Sequence, residues 1–138
     1  MAKESGLGLT VTVDDSAGVA RAISNDVTTL TFAIPSGVQD VTGVNSSGME
    51  RLLLLADMTV TLNGVFNDAA TTGAHTVLSN FRTLAASQVG RTTAIAHSAQ
   101  TLSEEILFSD LAYTRAASGE LTWTAPGSAA DGTVPAWT

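Results

Sequence analysis

The side chains of this chain that could do chemistry are few and scattered. His75 and His97 are its only histidines and it has no cysteine, so no local pattern supplies the three or four convergent ligands of a zinc site. Glu104 and Glu105 are adjacent, and in a strand they point to opposite faces, which favours a solvated edge over an acid/base pair. Gly6-Leu7-Gly8 lacks the lysine of a phosphate loop. The sequence therefore predicts no enzyme, no metal site and no cofactor.

The composition describes one acidic domain with few charges. At 138 residues, the chain is long enough to bury about two thirds of its extended surface in a single core. It has 13 acidic and 6 basic residues, a net charge of −7. The basic residues stand singly at Lys3, Arg21, Arg51, Arg82, Arg91 and Arg115. Tight nucleic-acid binding is disfavoured, because it depends on clustered lysine and arginine. Since only 14% of residues are charged, much of the surface must be small and uncharged, which suits a subunit that meets copies of itself.

The sequence shows no segment that would direct the chain into a membrane. Met1 to Gly6 lacks the basic and apolar regions of a secretory signal. The longest apolar run, Leu52 to Ala56, is much shorter than the about 18 to 20 residues that a membrane helix needs. We therefore expect no membrane insertion, and a chain that is made and kept in a cytoplasm unless it leaves with an assembly.

Two stretches have the alternation of a half-buried strand, Val27 to Ile34 and Met58 to Phe66. In both, apolar side chains alternate with uncharged polar ones. The polar positions are Thr29, Thr31, Thr59, Thr61 and Asn63. Threonine is favoured in strands by propensity alone, so an ordinary solvent-facing sheet is one interpretation. Such a face usually includes lysine and glutamate, however, and a face that several subunits share and turn toward a channel fits the uncharged pattern better.

The rest of the chain adds further strands and one helix. Strands are also predicted at Leu7 to Val13, Arg91 to His97 and Glu120 to Ala125. Leu102 to Thr114 is apolar on both sides, so it is either buried on both faces or bent midway. An apolar stripe predicts an amphipathic helix that begins near Thr72 and ends before Gly90. The predicted fold class is mainly β with one helix.

A long loop, a run of leucines and a C-terminal tryptophan are candidates for contacts with other chains. The loop from Pro35 to Met49 is longer than the usual hairpin connection of about two to five residues, and we interpret it as an arm that touches something outside its domain. Leu52 to Leu55 follow, and because no single face can hide four consecutive leucines, they are either a core segment or a subunit contact. Trp137 is predicted to dock on its own domain or on a neighbour.

The order of these features resembles that of a known family. The alternating LxLxVxV start, the block DVTG…ERLLLLADMTVTLNGVF and the ending GELTW…DGTVPAW resemble the major tail tube protein of long-tailed, siphophage-type bacteriophages. The resemblance covers nearly the whole chain. It lies in the order and character of the segments rather than in a catalytic signature.

The resemblance implies a small β-sandwich or barrel with one flanking α-helix, a long loop between inner strands and extended terminal arms. Residues 1–138 would be a single domain, with an N-terminal arm at 1–6, an inter-ring loop at 35–49 and a C-terminal arm at 126–138. Hexameric rings would stack into a tube. The inner strands would face a lumen through which double-stranded DNA passes during ejection without tight binding.

The resemblance also assigns residues and partners. The lumen-facing residues would be Thr29, Thr31, Thr59, Thr61 and Asn63. Contacts between subunits or rings would fall to Val38, Asp40, Val44, Asn45, Met49, Glu50, Arg51, Leu53 and Trp137. The expected partners are further copies of the chain, the tape measure protein, and tail terminator and tip proteins. The expected location is the virion tail, after synthesis in the host cytoplasm.

Two other classes of function stay open. A capsid or tail decoration protein would have the same composition but would need no channel. A carbohydrate-binding β-sandwich module would bind sugars through exposed aromatic side chains, for which Trp123 and Trp137 are the candidates.

Overall fold

The computed structural model describes residues 3–138, so Met1 and Ala2 of the predicted N-terminal arm lie outside it. The described chain is mainly β, with 46% of residues in strands and 6% in helix. The strands are β1 (Thr10–Asp14), β2 (Ala20–Ala22), β3 (Val27–Ala33), β4 (Ser36–Asp40), β5 (Arg51–Ala56), β6 (Thr59–Val65), β7 (Arg91–His97), β8 (Gln100–Phe108), β9 (Ala112–Arg115) and β10 (Leu121–Ala129). One α-helix, α1 (Ala74–Leu78), lies between β6 and β7. Within residues 3–138 no helix has the length and apolar character that a membrane crossing requires.

Eight strands form one antiparallel sheet in the order β2-β1-β7-β8-β10-β6-β3, with β9 also paired to β10. Strand β10 connects the two halves of this sheet. One edge of β10 pairs with β6, and the other edge pairs first with β9, through Thr124, and then with β8, from Gly127. The inner half is therefore β3-β6-β10-β9, and the outer half is β2-β1-β7-β8.

The two halves pack on one core, which explains the alternation seen in the sequence. Buried side chains come from β1 and β7 in the outer half and from β6 and β10 in the inner half, and they form a single cluster. The largest contributors are Val11, Ile95, Met58, Leu62 and Trp123. The predicted mainly-β fold with one α-helix is thus confirmed, with the main strands in one antiparallel sheet. Across residues 3–138 this sheet does not close into a barrel, because β3 pairs only with β6.

A third of the predicted long loop is strand. Residues of β4 pair with β5 from Ser36 opposite Ala56 to Asp40 opposite Arg51, so only the tip at 41–50 is loop. Since β3 leads into β4 and β5 leads into β6, the two pairs form one ribbon, and Asp57 N donates to Pro35 O at 2.8 Å where they join. Five strand residues at about 3.3 Å each carry this arm roughly 15 to 20 Å beyond the sheet.

The helix is much shorter than the predicted span of Thr72 to Gly90, because buried side chains from distant parts of the chain bind both of its ends. Asp26, which is buried, accepts a hydrogen bond from Ala74 N at 3.0 Å at the first turn. Arg91, which is fully buried, donates to Val77 O at 3.1 Å and to Asn80 O at 2.7 Å just after the helix. These groups satisfy N–H and C=O groups that a short helix leaves without partners.

Arg91 also connects this segment to the outer half of the sheet. Its guanidinium donates to Asp14 O at 2.7 Å and to Thr83 O at 2.9 Å. Burial lowers the pKa of Arg91, while the charges of Asp15 and Asp14 oppose that shift. The five donors of one arginine thus hold β1, β7 and the helical segment together.

The bounds of two predicted strands are corrected by the structure. The first strand begins at Thr10 rather than Leu7, because Gly6 to Leu9 forms a turn with Gly8 at φ +87°. The last strand, predicted at Glu120 to Ala125, continues to Ala129. Leu102 to Thr114 is broken midway into β8 and β9, which agrees with one of its two interpretations.

The sequence predicts a solvated edge at Glu104, and the structure shows that this prediction is wrong. It is 5% exposed and faces the core, while its neighbour Glu105 is half-buried on the opposite side of β8. Its Oε1 accepts from Glu105 N at 3.1 Å, and its buried Oε2 has no hydrogen-bond partner. Burial raises the pKa of Glu104, and the nearby carboxylate of Asp131 raises it further.

Candidate functional site

An uncharged face lies on the side of the inner half-sheet that points away from the core. Strand pairing brings the five residues predicted to face a lumen onto this one side, because Thr29 is opposite Asn63, Thr31 is opposite Thr61 and Thr59 is opposite Ala33. Their core-facing neighbours on β6, Val60 and Leu62, are buried, and those on β3, Leu30 and Phe32, are partly buried. We call this surface the neutral face.

The neutral face is wider than the sequence indicated, because β10 and β9 continue it. Thr124 is opposite Asn63 and its hydroxyl donates to Asn63 Oδ1 at 2.8 Å. The additional members are Val65, Ala112, Thr114, Thr122, Pro126 and Ser128. None of the side chains that β3, β6, β10 and β9 present on this face is charged.

The sequence contained a signal for part of this extension but not for all of it. Thr122 and Thr124 alternate with Leu121 and Trp123 in the strand predicted at Glu120 to Ala125, which places the two threonines on one face. Pro126 suggested that the strand ends there, because proline cannot donate to a ladder. In the structure, Pro126 lies where the partner of β10 changes from β9 to β8, at a point where neither strand pairs with it. A missing N–H is tolerated at this position.

The inner half-sheet has two unpaired edges. Strand β3 pairs only with β6, and β9 pairs only with β10, in the described part of the chain. Each edge therefore leaves backbone N–H and C=O groups available for another strand. Both strands border the neutral face, so a partner strand would extend that face.

In the structure the arm comprises β4, the tip at 41–50 and β5. It carries eight of the nine residues predicted to contact other subunits or rings. All eight are exposed, and they are Val38, Asp40, Val44, Asn45, Met49, Glu50, Arg51 and Leu53. Leu52 to Leu55 are each 51 to 89% exposed, so the alternative that they form a core segment is wrong. Four exposed leucines on one strand are typical of an interaction surface.

The tip of the arm is organised by its own hydrogen bonds. Thr42 donates from its hydroxyl to Asp40 Oδ1 at 2.6 Å and accepts from Glu50 N at 2.8 Å. The bonds from Thr42 lower the pKa of Asp40. The arm is thus a defined hairpin, although it packs against none of the buried core residues.

The ninth predicted contact residue lies elsewhere. Trp137 forms a β-bridge with Leu102, and its ring packs edge to face on Phe32 with centroids 5.9 Å apart. It therefore docks on its own domain, as one alternative held. It remains 42% exposed.

The two histidines take part in separate contacts. His75 Nδ1 is hydrogen-bonded to the hydroxyl of Tyr113, and its ring packs against Phe66 at 4.8 Å between centroids. Burial raises the pKa of Tyr113. His97 Nε2 lies 3.7 Å from a carboxylate oxygen of Glu4. Among residues 3–138 no three histidine or carboxylate side chains converge as a metal site would require.

The described chain thus combines a broad neutral face, two unpaired edges of the inner half-sheet and an arm with four exposed leucines. Surfaces of this kind are typical of sites where a protein binds another chain.

Comparison with known proteins gives the fold a closer definition. No protein-family model matches the chain, and no curated protein gives a significant match. The fold is similar to that of a chain in the virion of a native gene transfer agent particle, with a TM-score of 0.71, 17% sequence identity and 99% of each chain covered. It is also similar to a chain in the tail of an empty gene transfer agent particle with C6 symmetry, with a TM-score of 0.73, 18% identity and 99% of each chain covered. The fold implied by the resemblance to tail tube proteins is thereby confirmed.

Proposed function

We propose that this protein is a structural subunit of the tail of a phage-like particle, and that hexameric rings of it stack into a tube through which DNA passes. The observation that carries this proposal is the neutral face. It spans all four strands of the inner half-sheet and carries no charge, in a subunit whose net charge is −7.

The charge pattern suits a conduit for DNA. Lysines and arginines on a channel wall would bind phosphates and hold the duplex in place. A wall of threonine, asparagine, alanine and serine offers only weak, uncharged contacts. The net negative charge of the subunits repels the polyanion from the wall. DNA therefore moves along such a tube rather than binding to it.

The dimensions also support a tube. The similar tail has C6 symmetry, and six inner half-sheets of four strands would make a barrel of twenty-four strands. At about 4.8 Å per strand and a tilt of about 40°, the backbone of this barrel has a diameter of roughly 45 to 50 Å. Inward side chains take about 5 Å from each wall, which leaves a bore that accommodates double-stranded DNA.

The arm is assigned to the contact between rings. Its exposed leucines, Leu52 to Leu55, lie on the segment that projects beyond the sheet. Burying them on a neighbour removes apolar surface from water, which stabilises the contact by about 25 cal/mol for each Å² buried. The tape measure protein inside the tube, and terminator and tip proteins at its ends, complete the proposed set of partners. The subunit is made in the host cytoplasm and resides in the virion.

Electron microscopy of the purified protein over a range of concentrations tests the proposal. Rings, or tubes built from rings, with six-fold symmetry and an open bore are expected. Single particles that stay monomeric at every concentration would contradict it and favour a decoration protein. A carbohydrate-binding module has less support than the sequence suggested, because Trp123 is 2% exposed and cannot stack on a sugar.

Placing a positive charge on the neutral face is expected to slow DNA passage. In Thr61→Lys the new ammonium stands between Thr31 and Pro126 on the centre of the face, and six copies per ring would bind phosphates. The measurement is the rate of DNA ejection from particles that carry the variant. The matched control is Thr10→Lys, an exposed threonine on β1 in the outer half, for which the ejection rate should be unchanged. Equal rates for the two variants in intact tubes would contradict the lumenal assignment.

A further inference from the structure

The two unpaired edge strands of the inner half-sheet, β3 and β9, run in opposite directions. Every adjacent pair in β3-β6-β10-β9 is antiparallel, so with four strands the first and the last also run in opposite directions. Rotation of a copy about an axis roughly along the strands does not change strand direction. Strand β9 of one copy is therefore antiparallel to β3 of the next, which is the arrangement that continues the ladder.

Each of these edges has an aromatic group on its core-facing side. At the β3 edge, Phe32 is opposite the buried Val60 and packs on Trp137. At the β9 edge, Tyr113 is opposite the buried Trp123 and packs on Phe66 and His75. Both groups therefore lie on the same layer of the sheet, behind the neutral face.

Both groups are incomplete in the isolated subunit. Trp137 is 42% exposed, and Phe66 and Tyr113 are each 39% exposed. Beside Phe32, a groove of about 410 Å³ runs between the turn at 6–9 and β3, with Leu9 and Leu30 in its lining. Aromatic rings left this open beside a groove indicate that another surface covers them.

We propose that the aromatic cluster Phe66-His75-Tyr113 of one copy packs against Leu30, Phe32 and Trp137 of the neighbouring copy, and that this contact closes the ring. This inference rests on the ring proposed above and specifies its junction. When β9 pairs with β3 of the neighbour, core-facing side chains on the two strands lie about 4.5 to 5.5 Å apart at Cβ. Tyr113 and Phe32 then belong to one layer of side chains across the boundary.

The chemistry of the junction fits a dry contact. The hydroxyl of Tyr113 already has a partner in His75 Nδ1, so burial of Tyr113 does not leave this hydroxyl without a hydrogen bond. Phe32 and Trp137 already meet edge to face, and a third ring can join that arrangement. The contact joins two different surfaces of the same chain, which is the type of interface that generates a closed ring.

Cross-linking can test the junction without background, because the chain has no cysteine. The variant Phe32→Cys/Tyr113→Cys is assembled and treated with a bismaleimide about 8 Å long. Residues i and i+2 of a strand are about 7 Å apart, so this reagent links the two cysteines even where they are not directly opposite each other in the ladder. A ladder of covalent oligomers up to the hexamer is expected on denaturing gels. The control pair Thr10→Cys/Tyr113→Cys, with its first cysteine on β1 in the outer half, should give no ladder.

A second measurement uses the assembly equilibrium. Tyr113→Ala should raise the concentration needed for ring formation at least about tenfold, as loss of a central aromatic contact does. Tyr113→Phe keeps the ring of the side chain and should change that concentration much less. Circular dichroism confirms that both variants are folded.

The outcomes separate the junction from the function. Rings of the unmodified chain together with a ladder from the Phe32/Tyr113 cysteine pair support the inference. Six-fold rings in which the Phe32/Tyr113 cysteine pair gives no ladder would overturn this junction and leave the proposed function standing. A chain that forms no rings at any concentration would overturn both.

Discussion

Replacing Arg91 with methionine is expected to lower the free energy of unfolding of the subunit by about 3 to 5 kcal/mol, because it leaves four carbonyl groups around a buried position without their hydrogen-bond donor. Arg91 is fully buried, and its guanidinium donates to the carbonyl oxygens of Asp14, Val77, Asn80 and Thr83. Methionine fills a similar volume but donates nothing. Since domains are stable by only about 5 to 15 kcal/mol, a large part of the total would be lost.

Urea unfolding followed by circular dichroism measures this effect. Arg115→Met is the matched control, because Arg115 is exposed on β9, and a surface substitution changes stability by less than about 0.5 kcal/mol. Arg91→Lys should recover only part of the loss, since an ammonium has three donors and no planar fork. If Arg91→Met and Arg115→Met unfold at the same urea concentration, the network around Arg91 does not stabilise the fold.

Gly64→Ala is expected to destabilise the subunit by about 3 kcal/mol or more, because the added methyl group has no space. A Cβ at Gly64 would lie 2.1 Å from Asp26 O and 2.6 Å from Trp123 Cζ2. Neither neighbour can move easily. The side chain of Asp26 is bonded to Asn67 and to the first turn of α1, and Trp123 is buried with its Nε1 donating to Val65 O at 2.8 Å.

The control for Gly64→Ala lies in the tip of the arm. A Cβ at Gly48 would meet no atom within 4 Å, so Gly48→Ala should change the free energy of unfolding by less than about 0.5 kcal/mol. Thermal unfolding of both variants at matched subunit concentration makes the comparison. A Gly64→Ala protein as stable as Gly48→Ala would show that β6 can move away from Trp123.

Predictions from the sequence were accurate where the local pattern decides the structure. The alternation around Thr31 and Thr61 identified β3 and β6, because the side-chain period of a strand places every second residue on one face. It also identified the neutral face before the pairing of those strands was known. The resemblance to tail tube proteins supplied the fold class that this pairing confirms.

Predictions failed where residues far apart in the chain decide the structure. The apolar stripe after Thr72 predicted a long helix, but carbonyl groups of Asn80 and Thr83 bind Arg91 instead of continuing it. Ser36 to Asp40 was read as loop, because its ladder partner on β5 lies across a ten-residue tip. The extension of the neutral face onto β9 depends on the change of partner at Pro126, and no local pattern contains that information.

The arm and the neutral face lie on the same two segments of the chain. The ribbon that carries Leu52 to Leu55 at one end continues into the strands that carry Thr31 and Thr61 at the other, and one hydrogen bond between Asp57 N and Pro35 O joins the two ladders where they meet. In the tube proposed above, a load applied to the arm by a neighbouring ring would therefore reach the neutral face along the same two segments of the chain.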